Sequence, residues 1–416
     1  FHPEARLDEI RASARDGETV MRAASAAALL LALLMPHAAR AAGTDSRAAI
    51  ESVVRSSMAA NHLRAAIVQV RRDGKTVYTG AFGESMTGVP ATPDMHFRNG
   101  ALAFTYMATL LLEFCDQKKV TLETKLSKFY PELPDANRIT LVDLAQMTSG
   151  YPDYVYQDEM INGLYLDPFR QWTPEELIRI GVSKPLQFAP GTNWGYSHTN
   201  YVILGRVLEK IAGMPLIDAL EKYVLDPMGL KETSGNKTPA IPQPALHSFT
   251  SERRQTLGIA PNTPFFEEST FWNPSWTTID QAVETTTITD LSISLEAVGT
   301  GKLLSPASSA AQITPKLIGF GHPQTNCPAC RKNDLALSYG LGVLFSGPWV
   351  AQTLGFAGAS GAVGYLPAQR VTIAVEATNG AAAYDRKGNA GLGATQVFRA
   401  LADAVAPGTM PPPDAQ

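Results

Sequence analysis

The chain has 416 residues, a prior of two to three domains at about 150 residues each. Hydrophobic residues make up 45% and charged residues 18%, enough for a large packed core, and a mean hydropathy of -0.06 with 29 prolines excludes a polytopic membrane protein and a coiled coil. With 35 basic and 39 acidic residues, the net charge of -4 gives no electrostatic case for nucleic acid as a partner.

Residues 1–20 begin without methionine and are polar and charged; we read them as an upstream or non-native segment. Arg22, the 13-residue apolar run Ala23–Met35 and the small residues around Ala39-Arg40-Ala41 have the layout of a signal peptide over 21–41. That reading makes the protein secreted or periplasmic, and the competing reading is an N-terminal amphipathic helix. The apolar run falls short of the roughly 20 residues needed to span a bilayer, so no transmembrane anchor is expected.

Ser46–Leu63 has helical spacing of apolar residues. Ala66–Arg72 and Lys75–Phe82 flank Asp73-Gly74, the pattern of a hairpin with a type I′ turn. Ala101–Val120 reads as a helix after Gly100, and the signals to about residue 240 are mostly helices and turns, including the amphipathic Asn200–Ala212 stopped by Gly213. Residues 234–275, rich in Pro, Ser and Thr, read as a long surface excursion. Strand signals return at Tyr339–Phe345, Trp349–Thr353, Ala362–Leu366 and Val371–Ala377. A last helix covers about Gly393–Val405, and the proline-rich tail, 406–416, reads as disordered. Strands at both ends with helices between predict one sheet built from the termini in a domain over 46–405, with a largely helical region inserted over about 120–300.

Several segments follow one another in a telling order: Phe97-Arg98-Asn99-Gly100, Met147-Thr148-Ser149-Gly150, Trp194-Gly195-Tyr196-Ser197, Asp226-Pro227-Met228-Gly229-Leu230, Trp272-Asn273-Pro274-Ser275-Trp276, Tyr339-Gly340-Leu341-Gly342 and Gly355 to Tyr365. Together, over about residues 48–403, they resemble the serine β-lactamase and D-alanyl-D-alanine carboxypeptidase family, whose relatives include penicillin-binding proteins and esterases. The resemblance implies an α+β, β-lactamase/transpeptidase-like fold with an antiparallel sheet.

The family's chemistry rests on three motifs. S-x-x-K sets a serine and a lysine one helical turn apart on one face. The lysine, or the tyrosine of Tyr-x-Asn, takes the hydroxyl proton so that serine attacks a carbonyl. Lys-Thr-Gly or His-x-Gly lines the opposite wall and offers donors to the oxyanion. Here Ala101 stands at the serine and Phe104 at the lysine. Tyr196 is kept, His198 replaces asparagine, and Phe356 replaces the polar residue of the third motif while Gly358 survives. Four changes over three motifs predict a catalytically defective protein. Its cleft, made apolar by Phe104 and Phe356, is expected to bind a peptide, a cell-wall fragment or a protein partner, with Gly358 and Ser360 on the substrate side.

The alternative is an active hydrolase with a non-standard nucleophile, Ser360 or Ser149, and Tyr196 or His198 as base. A third reading is a purely structural or assembly role. Thr105 follows the lysine position but points 100° away around a helix. Ser234-Gly235-Asn236-Lys237 is the only literal S-x-x-K, in a Gly/Pro/Thr-rich stretch that favours a turn. Cys327-Pro328-Ala329-Cys330 reads as a local disulfide, and Cys115 as a buried apolar filler. No metal-ligand spacing or phosphate-cradling glycine loop stands out, so neither cofactor nor metal is expected.

Overall fold

The computed structural model describes residues 46–235, 238–279 and 281–412. The upstream segment and signal peptide read over 1–41 lie outside the described residues, as do Asn236 and Lys237. Ser46 caps helix α1 (Arg47–Ala60), which leads into β1 (Leu63–Arg72) and β2 (Lys75–Met86). Asp73 and Gly74 both take positive φ, 51° and 77°, as the two centres of a type I′ turn must. Short strands β3 (Val89–Pro90) and β4 (Phe97–Arg98) precede α2 (Leu102–Asp116), whose side chains are almost all buried.

The helical region holds α3 (Leu141–Ala145), α4 (Asp158–Leu166), α5 (Pro174–Gly181), α6 (His198–Ala212), α7 (Leu216–Leu220) and α8 (Asp226–Met228). Local chemistry sets its boundaries. Thr140 with Asp143 and Thr173 with Glu176 form capping boxes at α3 and α5, and Gly213 ends α6 at φ 70°. Strands β5 (Phe249–Thr250), β6 (Glu267–Glu268) and β7 (Thr285–Thr286) lead to α9 (Ile288–Thr300) and α10 (Pro306–Ile313). The chain closes with β8 (Ser338–Tyr339), β9 (Leu344–Ser346), β10 (Trp349–Phe356), β11 (Ala359–Leu366), β12 (Val371–Asn379) and α11 (Gly393–Val405).

One eight-stranded sheet in the order β3-β2-β1-β12-β11-β10-β9-β8 joins the two ends of the chain, every pairing antiparallel. The α+β architecture expected from the sequence is the one found. Side-chain alternation along the strands makes two cores. Val68, Val70, Ala362 and Val375 pack under α1 and α11, whereas Ile67, Val363 and Ala374 join the larger core with α2, α6 and α9.

Two expectations are corrected. Residues 234–275 are not a surface excursion throughout. Leu246, Ser248, Thr250, Ser269, Thr270 and Trp272 are buried, and hydroxyls replace sheet partners for the backbone: Ser248 N–H donates to Thr270 Oγ1 at 2.9 Å and Ser269 Oγ to Ala357 O at 2.6 Å. Nor is the tail disordered up to Pro411. Trp349 Nε1–H donates to Thr409 Oγ1 at 3.1 Å, Arg399 Nη2 to Pro411 O at 2.5 Å, and Met410 packs on the α1/α11 core. Buried donors there need acceptors, and the tail supplies them.

Candidate active site

The head of α2 is where the first and third motifs meet. Gly100 takes φ 51°, and a Cβ added to it would stand 3.1 Å from Gly355 N and 3.3 Å from Leu354. Only glycine lets the backbone of the first motif approach the end of β10 this closely. The chain enters the helix at Ala101, which caps α2 without a side-chain hydrogen bond. A methyl group at this position has no lone pair with which to attack a carbonyl.

One turn on, Phe104 is 2% exposed. Its ring stacks on Tyr201 with centroids 4.1 Å apart, lies 6.2 Å from Tyr196, and meets His198 edge-on at 5.6 Å. The place read as that of a lysine ammonium is filled by hydrocarbon. Tyr196 is no better as a base. Burial pushes its phenol well above the usual range, and Tyr339, Asp153 and Tyr156 push in the same direction.

His198 opens α6, with Nδ1 at 2.9 Å from Asp153 Oδ2. The Asp153 side chain is 2% exposed, and its Oδ1 accepts the Val155 N–H at 3.3 Å. A proton on Nδ1 makes this nitrogen the donor to the Asp153 carboxylate oxygen. The His198 side chain is 19% exposed. Around it stand the rings of Phe104, Tyr154, Tyr196 and Trp276, centroids 5.3 to 6.4 Å away.

Phe356 ends β10, stacked on Trp276 at 6.1 Å and 22°, with the Arg98 guanidinium 5.3 Å from its centroid. A continuous run of rings therefore joins the third motif to the first: Phe356, Trp276, His198, Phe104 and Tyr201. Gly358, at φ 79° in the two-residue β10–β11 turn, backs onto Phe249, whose carbonyl oxygen would lie 2.2 Å from an added Cβ.

The other candidates separate from this cluster. Ser360 shares its strand face with Ala362, under α1 and α11, and its Oγ accepts the Ala394 N–H at 3.2 Å. Ser360 also borders, with Arg98, Gly355 and Phe356, a small pocket at the end of β10. Ser149 is fully buried and donates to Asn200 Oδ1 at 2.5 Å. Thr105 donates to Gly342 O at 2.6 Å, on the side of α2 expected for it. Ser234 is tied to Thr285 through paired backbone hydrogen bonds. Asp153 and Trp276 were not singled out as site residues by the sequence. Asp153 lies 45 residues from His198, and the only local signal was its place ahead of a helical turn, where an acid accepts a backbone N–H.

Cys327 and Cys330 form the expected disulfide, and Cys115 is the free cysteine among the described residues. The pair braces the second motif: Gly195 bridges Cys330, and a Cβ on Gly195 would lie 3.1 Å from both sulfurs. Gly195→Ala is expected to cost about 1–3 kcal/mol by overpacking. Part of that loss should return when both cysteines are also replaced by alanine. A denaturation midpoint unchanged by Gly195→Ala would show that the sulfurs do not confine this backbone. Among the described residues no group of three or more His, Cys, Asp or Glu is placed to hold a metal, and no helix is long and apolar enough to cross a membrane.

Comparison with known proteins agrees with this assembly of motifs. The chain is 26% identical over 201 residues to the esterase EstB of Burkholderia gladioli, covering 44% of this chain and 50% of that protein. It is 24% identical over 208 residues to a beta-lactamase of Providencia stuartii, covering 49% and 51%. The matched region thus spans about half the length of these relatives. Among solved structures, a D-stereospecific amidohydrolase from Streptomyces sp. superposes with a TM-score of 0.70 at 22% identity, over 88% of this chain and 99% of that one. The D-amino acid amidase of Ochrobactrum anthropi SV3, complexed with L-phenylalanine, does so with a TM-score of 0.71 at 18% identity, over 86% and 99%. These likenesses show the fold. A sequence profile of the beta-lactamase family matches residues 50–395, from α1 to the start of α11, and the chain accordingly belongs to the beta-lactamase family.

Proposed function

We propose that this chain is a pseudoenzyme of its family: a secreted or periplasmic protein that has lost acyl-enzyme chemistry and uses the old cleft to bind. The observation that carries the reading is Phe104, buried and stacked on Tyr201 one turn after Ala101. Nucleophile and general base are both missing, and the retained Tyr196 is held in its neutral form. Family enzymes owe their rates to groups acting as a unit, and loss of such a unit leaves about 10³–10⁴-fold acceleration from binding and oxyanion donors alone. The relatives include an esterase and an amidase complexed with an amino acid, which favours a small amino-acid derivative or peptide as the ligand.

The test is intact-mass spectrometry after incubation with a reactive penicillin and a fluorophosphonate. The mass is expected to stay unchanged while a family enzyme treated in parallel gains one adduct. A stoichiometric adduct would sink the proposal, and peptide mapping would name the nucleophile.

The His198–Asp153 pair favours a second reading, a hydrolase without an acyl-enzyme. In it, Nε2 takes a proton from water, the water oxygen bonds to the carbonyl carbon, and the leaving group departs with the proton from the imidazolium. This reading expects ester or amide turnover that survives the unchanged mass and disappears in His198→Ala. Absence of turnover in the unmodified protein would remove it.

A further inference from the structure

At the end of β10, beside the third motif, a small cavity of about 20 Å³ has Arg98, Leu354, Phe356, Ala359 and Glu376 among its walls. That is room for one or two water-sized groups. Strand register sets three of these walls on one face of the sheet. Phe356 stands opposite Ala359, and Glu376 opposite Gly361; opposed residues share a face, as do residues two apart on one strand. A Cβ on Gly361 would stand 2.3 Å from Glu376 Oε2, so this glycine leaves the space that the carboxyl fills.

Arg98 reaches the cavity from β4. Its guanidinium carbon lies 5.3 Å from the Phe356 ring centroid, and the residue is 5% exposed. Nη2 donates to Pro239 O at 2.6 Å, whereas Nε and Nη1 are buried and without a partner. Buried donors are costly to leave unpaired, most of all on a charged group. Burial brings the guanidinium down only to about 10, so it stays charged at neutral pH, and no carboxylate acts on it. Glu376 does not answer that charge. Burial holds its carboxyl well above the usual carboxylate range, and its Oε2 too has no partner.

We propose that this cavity is a binding site for a compact monovalent anion of the carboxylate type, which accepts from the unpaired nitrogens of Arg98 and borders the Glu376 carboxyl. The occupant is either a free anion such as formate or the carboxylate end of a larger molecule. Arg98 stands two residues before Gly100, which packs against Leu354 and Gly355. An anion held here ties the strand ahead of the first motif to the end of the third. Nothing in this site reacts, so it stands whether or not the pseudoenzyme reading holds.

The test is saturation-transfer NMR of the full chain with sodium formate, in a zwitterionic buffer without other small anions. Formate is expected to bind saturably, and Arg98→Gln to weaken it at least about tenfold. Should this variant fail to fold, Ala359→Leu, which fills the cavity and leaves Arg98 in place, should abolish binding. Glu376→Gln keeps the shape of the acid and should leave the affinity nearly unchanged. Displacement of formate by benzoate would mark the carboxylate end of a larger ligand as the occupant, and formate that benzoate leaves in place would mark a free anion. No saturable binding overturns the proposal, as does binding that survives Arg98→Gln or, where that variant is unfolded, Ala359→Leu. A sharp rise in affinity in Glu376→Gln also overturns it, because Glu376 would then be the ionised partner of Arg98. An acyl adduct or His198-dependent turnover overturns the pseudoenzyme reading instead, and leaves the anion site standing.

Discussion

Phe104→Ala is expected to lower the stability of the protein by about 3–5 kcal/mol, the usual cost of emptying a fully buried phenylalanine site. The ring is closed in on several sides, by Tyr201, Tyr196 and His198, and its helix is packed along most of its length. Little collapse can refill the space. The same packing explains why restoring the motif should fail. In Ala101→Ser/Phe104→Lys the new ammonium enters a space shaped for a ring, and Asp153, the nearby acid, already holds His198 and the Val155 amide. Desolvation of an unpaired ammonium adds to the lost stacking. The double variant is therefore expected to be less stable than the parent and to gain no penicillin adduct, with His198 and Phe356 still in place. Denaturant midpoints and intact mass read the two effects separately. Parental stability together with stoichiometric acylation would show that the site is two substitutions from activity and refute its description as degenerate.

The sheet was legible because its signals are local. Asp73-Gly74 between two β-prone runs needs both residues at positive φ, and the hairpin forms there. The late strands were found with short or shifted ends: Tyr339–Phe345 is broken at Gly340–Val343, where Phe345 and Val343 crowd Gly340. The two positions of the first motif are local in the same sense: Ala101 is the N-cap of α2 and Phe104 lies in its first turn. What failed was long-range. Nothing near Pro152-Asp153-Tyr154 announces a partner in α6, and nothing near Trp276 says that it bridges Phe356 to His198. The Ser/Thr-rich stretch after residue 234 looked exposed because hydroxyls usually face water. Here they stand in for missing strand partners, a role that composition does not reveal.

Stability should also fall with rising pH, and one buried acid should account for much of the fall. Glu284, next to β7, is fully buried and hydrogen-bonded to Asn99, the residue before Gly100; their backbones are joined by Asn99 N–H to Glu284 O at 3.0 Å. Burial pushes its carboxyl up to about 8, with Glu221 adding to the rise and the Asn99 amide opposing it. The two oxygens left over agree: Glu284 Oε1 and Asn99 Oδ1 are both buried acceptors without partners. A proton on Glu284 Oε1 can satisfy both at once, closing an acid–amide pair. Below about 4.5 the folded and unfolded chains are both protonated and stability is full. From there to about 8 the unfolded chain gives up a proton that the folded chain keeps, so stability drops, by on the order of 5 kcal/mol in all, and then levels off. Glu284→Gln preserves the shape and replaces the acid–amide pair by an amide–amide pair with nothing to titrate. Subtracting its stability curve from that of the parent isolates this group from Glu376, whose carboxyl burial also raises. The difference is expected to grow in favour of the glutamine variant from about pH 4.5 to about 8 and to stay constant above that. Parallel curves would mean that Glu284 is ionised in the fold, with a buried charge at the base of the first motif. Because Asn99 leads directly into Gly100 and Ala101, loosening of this pair at alkaline pH should loosen the head of α2 as well, and hydrogen exchange at the Ala101–Phe104 amides, once divided by the intrinsic base-catalysed rate, should quicken over the same pH range in the parent alone.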